Sequence, residues 1–345
     1  MSIAGDFDFI HAKVHGLRSR VYEGDRLDGL CDLTTIEQLW HRLYPDAEPA
    51  GHRALQRRLL ADHVDVLRII HEHLPGRLQD FFRWLLRRYQ VENLKVLLRA
   101  WRAGSSVEEV RPYLAPLPAA LSLPVEAMVG ADSLADFLRR VPESRLRAAA
   151  EAHIDRFQES GEVFLIETSL DGAYYRAVLD EQARLQGADR AHTERLVRFE
   201  IAVFNLLCLF RLKLNYGLEF EAARAFFVRG APLSFRLERL YDYPDFDDMV
   251  PLIPREFLPR DGAGALETIA DLERAFWQRL LQVANRQFYR SVSDFGAVTA
   301  FYTIKRIELA NLIRVVEGLR YGMGGRAIRS GLIQIRRAAA AARRP

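Results

Sequence analysis

The chain has 345 residues, more than the roughly 250 to 300 at which a single hydrophobic core stops growing, so more than one structural unit is expected. An apolar fraction of 49% and a charged fraction of 28% are ordinary globular values and give no ground for a disordered or fibrous chain. The 49 basic and 46 acidic side chains are interspersed and leave a net charge of only +3, without the one-signed field of most nucleic-acid binders.

Four of the basic residues are lysines (Lys13, Lys95, Lys213 and Lys305). The resulting arginine bias reads as coding composition and points to a bacterial source. The opening MSIAGDFDFIHAKVHG lacks the charged start, apolar stretch and small-residue cleavage site of a signal peptide, so a cytoplasmic location is expected. On this predicted helix His11 and His15 stand four apart and face the same way, as metal ligands can. His71 and His73 in HEHLP stand two apart and would diverge on a helix. Neither pair has an evident third ligand, so surface or capping roles are expected and no metal site is assigned.

Further along, DFFRWLLRRYQVENLKVLLRAW (80 to 101) places Phe81, Trp84, Leu85, Leu94, Leu97, Leu98 and Trp101 at steps of three and four, the pattern of an amphipathic helix. The segment EVFLIETSL fits either a short extended piece at Val163 to Ile166 or the entry to a helix. Cys208 sits within the apolar run IAVFNLLCLF, where a thiol acts as a small hydrophobe, and its distance in sequence from Cys31 argues against a disulfide framework. Pro- and Gly-rich breaks fall at 45–51, 115–124, 228–234 and 251–264 and mark loops between helical segments. The tail IRRAAAAARRP is helix-prone up to its last proline, its arginines a solvated face. The uncharged stretches near 115–125 and 201–210 are too short to span a bilayer, so any membrane association is expected to be peripheral.

One helix ending recurs three times: ENLKVLLRAWRAG, FNLLCLFRLKLNYG and ANLIRVVEGLRYG. Each carries an Asn-Leu pair (Asn93-Leu94, Asn205-Leu206, Asn311-Leu312). Each also has large apolar residues four and five positions after the Asn, and a Gly eleven or twelve after it, suited to a left-handed helix cap. A short apolar helix (IEQLWHRL, LADFLRRV, FDDMVPLI) and a longer one precede each copy. The chain is therefore predicted to be all-α, with three quasi-equivalent helical units at 1–115, 116–230 and 231–345. A period near one hundred residues is too long for a solenoid and suits three small bundles about a pseudo-threefold axis. An Asn on an apolar helix is expected to be a satisfied buried amide.

The segments VENLKVLLRAW, FYTIKRIELANLIRVVEGLRYGM and FDFIHAKVHGLRSR together resemble the family of the C subunit of V/A-type ATPases, whose eukaryotic counterpart is the d subunit. In that family the third copy carries Lys, Glu and Asn-Leu on one helix, matched here by Lys305, Glu308, Asn311 and Leu312. The opening departs from it, with His11, Ala12 and Lys13 where an Asn-Ala-Arg-like run is usual, and the Ala/Arg tail after Gly331 has no counterpart. The resemblance implies a funnel-shaped helical protein on the cytoplasmic mouth of the membrane proteolipid ring. It would receive the central-stalk subunits and couple them to the ring for ATP-linked proton or sodium transport, carrying torque and no chemistry.

No phosphate loop, nucleophile elbow or HExxH pair is present: GMGG (322–325) lacks the Gly-Lys-Ser/Thr ending that cradles a nucleotide. No catalytic residue and no cofactor is assigned. The acidic run DYPDFDD (242–248) lacks regular ligand spacing and is expected to be a solvated loop and helix start. Arg57-Arg58, Arg87-Arg88 and Arg336-Arg337, with Trp84 and Trp101 as stacking groups, define the competing reading, a helical adaptor or nucleic-acid-associated regulator without catalysis. Their spacing is ordinary amphipathicity, with the tryptophans on the apolar stripe, so no nucleic-acid partner is expected.

Overall fold

A computed structural model describes residues 3–230, 237–260, 264–291 and 294–335; the predicted helical tail lies outside these from Arg336 onward, and the loops at 228–234 and 251–264 lie partly outside. Among the described residues every regular element is helical and no strand occurs. In chain order, α1 is Ile3–Arg18, α2 Asp25–Cys31, α3 Ile36–Leu43, α4 His52–Glu72 and α5 Gly76–Ala103. There follow α6 Val107–Val110, α7 Val125–Val129, α8 Leu134–Arg139, α9 Ser144–Glu151, α10 Ile154–Ser160 and α11 Val163–Ala183. The remainder are α12 Gly187–Phe210, α13 Phe220–Ala223, α14 Leu237–Tyr241, α15 Phe246–Met249, α16 Ile269–Arg290, α17 Phe295–Arg320 and α18 Gly325–Gly331. The ambiguous EVFLIETSL is thus helix, forming the first turns of α11.

By compactness the chain forms two units. One comprises Met1–Gln56, Gln186–Ala225 and Gly230–Pro345, the other Arg57–Leu185 with Phe226–Arg229. This is a partition by packing and is distinct from the division by internal similarity at 115 and 230.

In the first unit α16 and α17 pair along their length, α12 packs on both, and α1 and α3 lie against α17. Every residue from Phe295 to Ile304 is buried, so α17 is enclosed on all sides there, as a central helix must be. Phe210, Phe276, Phe288, Phe295 and Phe301 are fully buried in the same unit. In the second unit α5 pairs with α11, with α9 against α11 and α7 against α5. Its core includes a polar cluster in which Lys95 Nζ lies 3.1 Å from Asp171 and Arg88 2.8 Å from Glu92. Those partners satisfy cations that would otherwise be stranded away from water. No helix among the described residues is long and apolar enough to cross a membrane.

Candidate functional site

The repeated Asn-Leu motif is where the sequence concentrates its unusual residues. Asn93, Asn205 and Asn311 are buried, as are Leu94, Leu206 and Leu312. The apolar pairs four and five positions on (Leu97 and Leu98, Leu209 and Phe210, Val315 and Val316) are fully buried.

Asn93 Nδ2 donates to the carbonyl of Ala115 at 2.9 Å, and its Oδ1 accepts the N–H of the same residue at 2.7 Å. Asn311 does the same with Ile333, at 2.7 and 2.8 Å, and both partners lie 22 residues ahead. The amide so satisfies a buried backbone N–H and C=O that would otherwise each cost about 1 to 3 kcal/mol. Its role is therefore to hold the returning chain on the helix, which goes beyond the satisfied buried amide expected from sequence.

The terminal glycines are alike too: Gly104, Gly217 and Gly322 have φ of 68, 58 and 65°. After each, the next N–H reaches back to close the turn, Ser105 to Ala100 at 3.0 Å, Leu218 to Leu212 at 3.0 Å and Met323 to Gly318 at 2.8 Å. In the first and third copies this is the Schellman closure and in the second a version one residue wider; each uses the left-handed residue that only Gly adopts without a Cβ penalty. The second copy has one residue more between Asn and Gly, and its helix ends in a π-turn at Arg211–Asn215. A π-turn absorbs one extra residue, so the twelve-residue spacing still arrives at the same cap.

Each short helix is also started in the same manner. Thr35, Ser133 and Asp245 accept the N–H of Gln38, Asp136 and Asp248 at 3.1, 3.1 and 3.0 Å, satisfying an otherwise orphaned donor. In the acidic run, Asp245 is thus an N-cap.

In the third copy Lys305 and Glu308 form an ion pair beside Asn311. Glu308 is 4% exposed and also accepts the N–H of Tyr22 at 2.6 Å, which ties the α1–α2 loop to α17. The corresponding residues of the first copy repeat the device in part: Arg87 donates to Gln90 at 2.9 Å, and Gln90 donates to the carbonyl of Leu121 at 3.0 Å. The second copy has Phe199 and Ala202 at these places and lacks it.

Glu308 and Asn311 line a cleft of about 940 Å³, walled by the α1–α2 loop, α16, α17 and the segment after α18. Arg18, 7% exposed, anchors its rim with bonds of 2.7 and 2.9 Å to Glu23 and 2.7 Å to Asn285 Oδ1. Tyr289 and Ile335 at the mouth are exposed. No sequence signal assigns Arg18, Tyr22 or Glu23 a role. Arg18 lies within the family-like opening run, but its partner Asn285 comes from a distant part of the chain. The cleft presents paired charges and apolar rims, an arrangement that can seat a protein surface.

Outside the cleft, the rings of His11 and His15 lie 4.6 Å apart with their planes tilted by 49°, His15 also lies 4.6 Å from Phe288, and partial burial followed by the charge of His11 lowers the His15 pKa. His73 contacts the carbonyl of Ile69 at 2.8 Å. Among the described residues no three His, Cys, Asp or Glu side chains are grouped to hold a metal. Cys31 and Cys208 are buried and free, and burial pushes the Cys31 thiol up to about 11. Of the arginine pairs, Arg58 meets Asp62 at 3.1 Å, Arg87 meets Glu143 at 2.9 Å and Arg88 meets Glu92; Arg336 and Arg337 lie outside the described residues. Trp84 is buried, and Trp101 donates its indole N–H to Ala131 at 2.7 Å.

Recurring caps, braced amides and a cleft of paired charges define an all-α protein of repeated helical elements whose polar groups serve packing. A family model described as ATP synthase (C/AC39) subunit matches residues 10–331, and the chain belongs to this family. It is 27% identical over 336 residues to an uncharacterized protein of Treponema pallidum, covering 91% of this chain and 92% of that one. It is 21% identical to the C subunit of the A-type ATP synthase of Methanothermobacter thermautotrophicus, over 89% of this chain and 82% of the relative. With the corresponding C subunit of Methanosarcina mazei the identity is 24%, over 85% and 79%.

Proposed function

We propose that the chain is the non-catalytic central-rotor connector of a V/A-type rotary ATPase, joining the central stalk to the membrane proteolipid ring. The observation that carries this reading is the family match over residues 10–331. Three bundles at 1–115, 116–230 and 231–345, set about a pseudo-threefold axis, enclose a concavity that accepts a shaft. The like-placed N-caps, amide braces and glycine closures support that division, with Asn93, Leu94, Asn205, Leu206, Asn311 and Leu312 as its structural motif and Lys305 and Glu308 reinforcing the third copy.

A torque coupler must transmit force without yielding. Close-packed helices with braced returns supply stiffness, because packed interiors are barely compressible. The protein sits peripherally on the cytoplasmic face through its contact with the ring, needs no cofactor and moves protons or sodium only as part of the complex. Affinity purification of the tagged chain from its native membranes tests this. Stalk and proteolipid subunits should accompany it in fixed ratio; recovery with nucleic acid and without them would support the adaptor reading instead.

A further inference from the structure

Several arginines on the packed helices of the first unit have carboxylate partners. Arg274 meets Asp271 at 2.7 Å, Arg306 meets Glu200 at 2.7 Å and Arg211 meets Glu273 at 2.6 Å. Among those that form no ion pair with the described residues are five that lie close together: Arg195, Arg260, Arg279, Arg286 and Arg290.

Three elements gather these five. At 100° per residue, Arg279, Arg286 and Arg290 fall within about 40° of one another on α16, a ridge roughly 16 Å long. Arg260 is tied beside the ridge, because its N–H and Arg279 Nη1 both donate to Gln282 Oε1 at 3.3 Å. Arg279 Nε also donates to the carbonyl of Glu256 at 2.8 Å. Phe257 packs on Phe199 of α12 at 5.1 Å, one turn from Arg195. The positive charges feel each other: Arg260, then burial, Arg290 and Arg195 lower the pKa of Arg286, and burial, Arg260, Arg286 and Arg195 lower that of Arg279. Glu256 is the one carboxylate that opposes this at Arg279.

Like charges held together with one nearby carboxylate and no ion pair among the described residues disfavour the isolated chain and favour a partner that supplies anions. Planar guanidinium forks suit carboxylates and phosphates alike. The depth of the groups separates the two. Arg195, Arg260 and Arg290 are exposed, whereas Arg286 is half-buried and Arg279 is buried. A flat lipid surface would reach only the outer three, while a protruding carboxylate side chain reaches the recessed pair. Tyr289, the exposed aromatic nearby, lies off the ridge on the cleft side of α16, so the ridge offers no base-stacking platform of the kind single-stranded nucleic acid uses.

We infer that the α16 arginine ridge, with Arg195 and Arg260, is a docking surface for an acidic helical protein segment that presents carboxylates at i, i+4, i+7 and i+11. This goes beyond the rotor reading and holds or fails independently of it.

The test uses the purified full chain and a labelled 18-residue peptide with Glu at those positions of one helix face, beside a scrambled peptide of the same composition. Fluorescence anisotropy should show binding that weakens as ionic strength rises from about 0.05 to 0.5 M. It should fall about tenfold or more in R286E/R290E and change less than about twofold in R58E, which alters an arginine already paired on α4. The neutral variant R195Q/R290Q, with a thermal midpoint like that of the wild type, should show an intermediate loss. Equal binding by R286E/R290E, or no preference over the scrambled peptide, overturns the proposal. So does retention of anionic vesicles or an oligonucleotide in an R286-dependent manner by a protein that ignores the peptide.

Discussion

Asn93 and Asn311 make the same pair of hydrogen bonds to backbone residues lying the same distance ahead, Ala115 and Ile333, each 22 positions on. One is in each compact unit, so the correspondence arises from the motif and its surroundings and not from a shared contact.

Replacing either Asn by Ala should leave a buried N–H and C=O without partners. N311A and N93A are each expected to lower stability by about 2 to 4 kcal/mol. Because the two residues share no partner, their effects on chemical denaturation should add within about 0.5 kcal/mol. A loss below about 0.5 kcal/mol in both variants would mean that water replaces the brace.

Lys305 and Glu308 should respond unequally. Removing Lys305 leaves a carboxylate that is 4% exposed without its cation, whereas Glu308→Gln keeps an acceptor for the Tyr22 N–H and leaves a lysine that is half-buried and able to reach water. K305M is expected to cost about 2 to 3 kcal/mol and E308Q about 1. The double variant should be more stable than the sum of the two predicts, which a double-mutant cycle measures directly.

Histidines set the acid limb of stability. Burial, then the charges of Arg156 and Arg176, lowers the pKa of His153, which stacks on Phe226 at 4.6 Å; burial likewise lowers that of His71. A lowered histidine pKa means that the unfolded chain binds more protons as pH falls below its ordinary value near 6.5, so stability drops in that direction. The thermal midpoint should therefore be lower at about pH 5.5 than at about pH 7.5. H153F, which keeps the ring stack, should show a smaller difference between the two.

Gly325 begins α18 at a point where a Cβ would lie 2.5 Å from the carbonyl oxygen of Cys31. Backbone cannot move aside cheaply, so Gly325→Ala should destabilise by about 1 to 3 kcal/mol. Gly331, at the other end of the same helix, has nothing within 4 Å of a Cβ. Its change to Ala should be neutral or stabilising by up to about 1 kcal/mol. Denaturation midpoints of the two variants, compared side by side, decide this.

Helices are legible because their signal is local. Steps of three and four place Leu97, Leu98, Val315 and Val316 inside, and each Asn-Leu motif foretells a glycine that does take positive φ. The π-turn at Arg211–Asn215 explains why the second spacing is twelve, a feature that sequence displays as a number without its cause.

The amino-acid order alone determined that the chain is helical, where its glycines close helices, and that an Asn recurs at one place on an apolar stripe, since these depend on residues within a turn or two of each other. Only the tertiary structure decided that Asn311 finds Ile333, that Glu308 finds Tyr22, that α5 pairs with α11, and that five arginines from α12, a loop and α16 converge without an ion pair among the described residues. Those outcomes depend on which distant backbone atoms and charges packing brings together, and no local propensity encodes them.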